Sequence, residues 1–107
     1  MDIQQLTQNM DAFVKSRGWY EPGSPRPQTP RNLAISLSLE AAELLEQFQW
    51  RDGIVDKTAL ASELADVLLY LLQLAWVSGI DLEKAALDKL EINAGRQWDG
   101  QSSGDRR

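Results

Sequence analysis

The chain has 107 residues, which is enough for one modest hydrophobic core and too few for two domains. It contains neither cysteine nor histidine, which excludes disulfide frameworks, thiol chemistry, histidine catalysis, ordinary zinc sites and the Glu-x-x-His pattern of di-iron bundles. Sixteen acidic and eleven basic residues give a formal charge of −5, which disfavours nucleic acid as a partner, and the absence of cysteine suits a cytoplasmic location.

The first predicted helix covers residues 2 to about 17, where apolar side chains recur at helical spacing and Gly18 follows. The segment before it has neither a basic region nor an apolar run, so we expect no signal peptide. After Trp19, three prolines between residues 21 and 28 predict an extended loop, because proline disrupts helix.

The second helix begins with Thr29 as its N-cap and Pro30 at its first helical position. It should run to about Trp50, where Gly53 ends it in a left-handed conformation.

Asp56 is the predicted N-cap of a long third helix that reaches about residues 78–79. Asp81 caps a fourth that ends near Arg96, with an inner side made of Leu82, Ala85, Ala86 and Leu90.

The sequence has no strand pattern, so the expected fold is all-α: a four-helix bundle protomer in a single domain over residues 1–99, with a disordered polar tail at 100–107. The third helix is apolar almost all round, whereas each helix of a lone bundle keeps one face in water. We therefore expect a homodimer or larger assembly with this helix in the contact. The apolar run from Val67 to Val77 is too short to span a bilayer, so no membrane partner is expected.

Four carboxylates form two pairs, Glu40 with Glu43 and Glu63 with Asp66. Each pair has three-residue spacing, which places both acids on one side of a helix, about 60° apart. Such a pair is more often part of a solvated helix face, but apolar residues border the first pair on both sides, and Asp66 is the only charge between residues 64 and 77. We therefore expect Asp66 to be buried and the acids to converge on a hard cation, Mg²⁺ or Mn²⁺, which usually accompanies a phosphate substrate.

Further motifs accompany these pairs: Thr-Pro-Arg-Asn-Leu at 29–33, Phe-Gln-Trp at 48–50, Tyr70 one turn after Asp66, and Lys89 with Asn93. Over roughly residues 10 to 97, this combination resembles the MazG-like all-α nucleoside triphosphate pyrophosphohydrolases, and most of all their dCTP pyrophosphatase branch. The resemblance implies Mg²⁺-dependent hydrolysis of a (deoxy)nucleoside triphosphate to the monophosphate and pyrophosphate, by a dimer or a dimer of dimers. It also implies a role in removing noncanonical nucleotides or balancing deoxynucleotide pools.

The resemblance also implies roles for single residues. The metal ligands would be Glu40, Glu43, Glu63 and Asp66. We expect the attacking water to be activated by a carboxylate of this cluster, Glu43, or by the metal itself. By the resemblance, Lys89 would bind phosphate, Asn93 the sugar, and Trp19 and Trp50 the base. By helical spacing, Arg96 shares a face with Lys89 and would bind phosphate, and Tyr70 shares a face with Glu63 and Asp66 and would meet the metal centre or sugar.

Each substrate-binding role has a structural alternative. Lys89 and Arg96 could complement a helix dipole, Asn93 could serve as a cap, and the aromatic residues could line a core. Arg31 and Asn32 lie in the first turn of the second helix, a natural anion site, and could reach phosphate or brace the loop.

Two other functions share the predicted fold. One is a phosphoribosyl-ATP pyrophosphohydrolase, which the Phe-Gln-Trp and Pro-Arg-Asn motifs disfavour. The other is a noncatalytic helical interaction module that keeps the acids for structure.

Overall fold

The structure is a computed structural model and describes residues 1–50, 53 and 56–96. Its helices are α1 (Ile3–Ser16), α2 (Pro30–Glu46), α3 (Lys57–Val77) and α4 (Leu82–Ala94). The described residues contain no strand, and the predicted all-α class is confirmed. The predicted tail at 100–107 lies outside the described residues.

Every helix begins at a side chain that caps it. The three predicted N-caps are confirmed, since Thr29, Asp56 and Asp81 each accept a hydrogen bond from a backbone N–H of the following first turn. For α1, Asp2 and Gln5 form a reciprocal capping box with bonds of 2.8 and 2.9 Å. Each cap stabilises its helix by about 1 kcal/mol and fixes where it starts.

Helix α2 ends at Glu46, one turn before the predicted end at Trp50. The next backbone N–H groups, those of residues 47–49, bond three residues back rather than four, so the helix tightens into successive turns. The chain then reaches Trp50 at φ 70°, and Gly53 has the predicted left-handed conformation at φ 84°.

Helix α3 packs against both α2 and α1, and this contact contains the core. Met10, Val14 and Leu72 form a buried cluster, and the half-buried Leu6, Trp19, Tyr20 and Leu82 pack against it. Leu33 is the other large side chain that is fully buried. The core is therefore small and lies where α1 and the loop after it cross α3.

Helix α4 does not close a four-helix bundle within the chain. Among the described residues it shares no extensive contact with another helix, and none of its own residues is buried. The inner side that we predicted for it is wrong beyond its first residue: Leu82 packs on the core, whereas Ala85, Ala86 and Leu90 are exposed. The reason is that α4 meets no helix of its own chain extensively among the described residues, so nothing there covers its apolar side.

Much apolar surface is left uncovered on three of the helices. The exposed large side chains include Ile35, Leu39, Leu45, Leu64, Leu68, Leu71, Trp76, Leu87, Leu90 and Ile92. By length and composition alone, the 21 residues of α3 could also cross a membrane. The apolar run from Val67 to Val77 is only part of this helix, and its shorter length led us to expect no membrane span. Core helices of soluble proteins have the same length and composition.

Candidate metal centre and adjoining cleft

The α2–α3 contact brings the predicted carboxylates together. Ligand oxygens of Glu40, Glu43 and Glu63 all lie within 4.8 Å of one another. Asp66 is close enough to Glu40 for its charge and a hydrogen bond to act on that carboxyl group. The predicted convergence of two acid pairs is therefore what the packing produces.

Burial and neighbouring negative charge make Glu40 and Glu63 harder to ionise. The pKa of Glu40 is raised from 4.5 to about 7, first by burial and then by the charges of Glu43 and Asp66. The pKa of Glu63 is raised by burial and then by Glu43, Asp66 and Glu46. Glu46 is exposed, yet its charge acts on Glu63. An opposing charge at this place would relieve the repulsion.

The cluster lies nearer the surface than predicted. Asp66, expected to be buried, is half-buried, as are Glu40 and Glu63, and Glu43 is exposed. The expectation for Asp66 was wrong because its flank of α3 forms part of the wall of an open cleft.

One atom of the cluster is fully enclosed. Oε2 of Glu63 is buried and has no hydrogen-bond partner among the described residues. A buried carboxylate oxygen without a partner costs free energy that a bound cation would recover. All four candidate ligands offer oxygen donors, which is the set that Mg²⁺ and Mn²⁺ prefer. The residues present therefore fit a hard divalent ion.

A cleft of about 780 Å³ adjoins the carboxylates, and Asp66 belongs to both. Its walls come from α1, the loop after α1, and the facing sides of α2 and α3. The volume is within the range of small-molecule sites, about 300–1,000 Å³. The cluster and the cleft together form one concave site with a charged end and an aromatic end.

Three of the predicted substrate-binding residues line the cleft: Trp19, Asn32 and Tyr70. Tyr70 follows Asp66 by one turn of α3, as the spacing required. Asn32 braces the loop, because its Nδ2 donates to the Pro27 carbonyl at 2.9 Å.

The other five predicted substrate-binding residues do not line the cleft of their own chain. Arg31 and Lys89 are exposed, and Trp50 is 91% exposed. Asn93 and Arg96 are half-buried near the end of α4, where Nη1 of Arg96 donates to Oδ1 of Asn93 at 3.3 Å.

Sequence reasoning missed five polar residues of the cleft: Asn9, Arg26, Gln28, Ser36 and Gln73. The guanidinium carbon of Arg26 lies 5.8 Å from the centre of the Trp19 ring. The loop has no periodicity from which its contacts could be inferred. The one usable signal was Gln73, a polar residue in the apolar stretch of α3.

Residues 35–103 match the MazG-like family. The chain belongs to that family. Human dCTP pyrophosphatase 1 is 43% identical to this MazG-like chain over 93 residues, covering 78% of the chain and 52% of the human protein. Rat dCTP pyrophosphatase 1 is 38% identical with the same coverage. The chain thus spans about half the length of these curated relatives.

A solved structure has the same fold as this MazG-like chain. It is a pyrophosphatase from Archaeoglobus fulgidus, with a TM-score of 0.73 and 38% sequence identity. The match covers 85% of this chain and 87% of the archaeal one. The helix arrangement is therefore shared over most of both chains.

Proposed function

We propose that this MazG-like protein is a Mg²⁺-dependent nucleotide pyrophosphohydrolase. It would convert a (deoxy)nucleoside triphosphate, of the dCTP type, to the monophosphate and pyrophosphate. The observation that carries the proposal is the carboxylate cluster, whose oxygens lie within 4.8 Å beside a cleft of about 780 Å³. The likeness to dCTP pyrophosphatase 1 supports the choice of substrate class.

Glu40, Glu43, Glu63 and Asp66 would hold the ion, with Mn²⁺ as a possible substitute for Mg²⁺. When bound, it would neutralise charge on the triphosphate and lower the pKa of a coordinated water. The buried Oε2 of Glu63 supports this assignment, because it has no hydrogen-bond partner among the described residues.

In the proposed reaction, water attacks the α-phosphorus. The bond from the water oxygen to phosphorus forms as the bond to the bridging oxygen breaks, and pyrophosphate leaves with that oxygen. We assign the water's proton to Glu43, which is exposed while its carboxylate lies beside Glu40 and Glu63. With no histidine or cysteine in the chain, a carboxylate is the group available for this task.

The aromatic end of the cleft would take the nucleoside. Trp19 offers a face for stacking with the base, and Tyr70, one turn after Asp66 on α3, also lines the cleft. Arg26 is the one cationic side chain among the described residues of the cleft wall, and its guanidinium carbon lies 5.8 Å from the centre of the Trp19 ring, so we assign it to the nucleoside region.

The family resemblance also supports a phosphate contact by Lys89, a sugar contact by Asn93 and a base contact by Trp50, and the spacing of Arg96 from Lys89 supports a second phosphate contact. None of these residues lines the cleft of its own chain. We therefore propose that they reach substrate only when α4 and the segment after α2 approach a cleft in an assembly of chains.

A homodimer or homotetramer would also cover the apolar surface of α2, α3 and α4. Leu64, Leu68 and Leu71 of α3 and Leu87 and Leu90 of α4 are exposed in the single chain. Apolar patches of that extent on monomers usually mark an interface.

Pyrophosphate release from a panel of nucleotides, with and without Mg²⁺, tests the proposal. The panel includes the four deoxynucleoside triphosphates, their ribose counterparts and phosphoribosyl-ATP. We expect turnover of dCTP that requires the metal. No turnover of any triphosphate, together with no thermal shift on adding Mg²⁺, would instead support the noncatalytic interaction module.

A further inference from the structure

Gln73 is a buried polar residue on the helix that carries the carboxylates. It is 4% exposed, lines the cleft, and follows Tyr70 by about one turn of α3. Its Nε2 donates to Oε1 of Gln28 at 2.6 Å, across 45 positions of sequence. A buried amide needs such a partner, because an unpaired one costs about 1–3 kcal/mol.

This bond ties the segment 24–28, which we call the cleft loop, to α3. Its Pro25 and Pro27 have no N–H to donate. The other side-chain hydrogen bonds of the loop do not reach α3: Arg26 N–H donates to Ser24 Oγ at 3.0 Å, Gln28 Nε2 donates to the Arg26 carbonyl at 2.6 Å, and Asn32 Nδ2 at the start of α2 donates to the Pro27 carbonyl at 2.9 Å. Gln28 is therefore fixed at both ends of its amide, once by its own loop and once by α3.

The surroundings of Gln73 on its other side are also polar and enclosed. The hydroxyl of Tyr20 is buried and lies near the Gln73 amide and the Asp11 carboxylate, without a well-formed hydrogen bond to either. Asp11 is buried in turn and pairs with Lys15 at 3.0 Å. Gln73 thus joins the cleft loop to a polar cluster beneath it, in the middle of an otherwise apolar core.

We propose that Gln73 is a positioning residue for nucleobase recognition. Through Gln28 it holds the cleft loop against α3, so that three neighbours in the loop, Pro25, Arg26 and Pro27, form a fixed wall of the cleft. The proposal rests on the proposed function. It assigns to Gln73 an effect on the KM for nucleotides and on the preference among bases, and no effect on the chemical step, because Gln73 is separated from Asp66 by two helical turns.

Kinetics of Gln73→Leu, Gln28→Ala and the double variant test the proposal. Each single change should raise the KM for the best nucleotide about tenfold, the effect of one lost hydrogen bond, and leave kcat within about twofold. The difference in kcat/KM between the preferred base and the other bases should become smaller. The double variant should be no worse than the worse single one, because both changes remove the same bond. Gln8→Ala, an exposed glutamine of α1 outside this cleft, is the matched control.

Product inhibition separates base binding from phosphate binding. In either single variant, the inhibition constant of the nucleoside monophosphate should rise about tenfold, whereas that of pyrophosphate should not change. Equal weakening of both products, an unchanged KM, or a fall in kcat alone would each overturn the proposal. If Gln73→Leu does not fold, Gln28→Ala decides the outcome, since Gln28 is only half-buried and follows exposed loop residues.

Hydrogen exchange provides a readout that needs no turnover. The backbone amides of Arg26 and Gln28 should exchange faster in Gln73→Leu than in the wild type, while α2 and α3 keep their protection. Unchanged exchange in the cleft loop would overturn the proposal whether or not the protein is an enzyme. If exchange rises but the wild type hydrolyses no nucleotide, the proposed function fails and the role in base recognition fails with it.

Discussion

Helices α3 and α4 start in the same way and end in different surroundings. Each begins at an aspartate N-cap, but α3 buries Leu72, Gln73 and Ala75 between its neighbours, whereas no residue of α4 is buried. A free helix of 13 residues is marginal in water. The contrast shows that the carboxylate cluster forms within one folded chain, whereas the contacts that we propose for α4 would require a further chain.

Loss of one metal-ligating carboxylate from the cluster should abolish most of the activity. Glu63→Gln removes a carboxylate whose buried oxygen has no hydrogen-bond partner among the described residues, and we expect turnover to fall about a thousandfold. Without metal the variant should melt at the same temperature or higher, because one repelling charge has gone. Glu46→Gln, a change at an exposed glutamate beside the cluster, is the control and should keep most of the activity. Turnover like that of the wild type in Glu63→Gln would remove α3 from the active site.

A charge placed on the apolar side of α4 should weaken the contact that we propose between this helix and a partner chain. Leu90 is 63% exposed, and Leu90→Glu should weaken self-association about a hundredfold if that side chain meets another chain. Sedimentation equilibrium over a range of concentrations measures this. Lys84→Glu, on the same helix at a position paired only with Asp88, should have a much smaller effect. An unchanged association constant in Leu90→Glu would place the interface elsewhere.

Trp50 tests whether the region after α2 behaves like α4. In one chain it is outside the cleft and 91% exposed, with a left-handed φ of 70° that is unusual for a residue with a side chain. We expect Trp50→Ala to raise the KM about tenfold with a smaller change in kcat, through loss of base stacking in the assembly. Trp76→Ala is an exposed tryptophan control. A fall in kcat with an unchanged KM would move Trp50 out of the base site.

The features that could be predicted from the sequence are those that lie within a single helix, and the features that join distant segments could not be predicted. Caps and periodicity act locally, so Thr29, Asp56 and Asp81 were identified from their neighbours alone. The two acid pairs were also predictable, because their spacing and their apolar borders lie within single helices. The bond between Gln28 and Gln73 joins residues 45 positions apart, and no local pattern encodes it.

The direction of α4 could not be predicted from the sequence, for a related reason. Its apolar residues predicted a buried inner side, but periodicity specifies only that a face will be covered and does not identify the chain that covers it. The same ambiguity applies to Leu64, Leu68 and Leu71 of α3, which are exposed although their helix is central.

The smallest expected effect is a pH dependence of stability that comes from the acids on α2 and α3 and not from α4. In the folded protein the Glu40 pKa is raised from 4.5 to about 7, mainly by burial and then by Glu43, so the folded state binds more protons than the unfolded state in that window. Stability from this group is complete below about pH 4.5 and is lost as the pH rises to about 7. Thermal unfolding in a chelator should show that decline, and Glu40→Gln should flatten it.

A control variant and a measurement with Mg²⁺ complete the pH comparison. Glu83→Gln, at an exposed position in the first turn of α4, should leave the decline in place. Saturating Mg²⁺ should raise the unfolding temperature more at pH 7 than at pH 5, because the ion competes with protons for the same oxygens. An equal decline in Glu40→Gln would mean that Glu40 is not the titrating group, and the proton uptake would then belong to Glu63, whose pKa is also raised by burial and by its acidic neighbours.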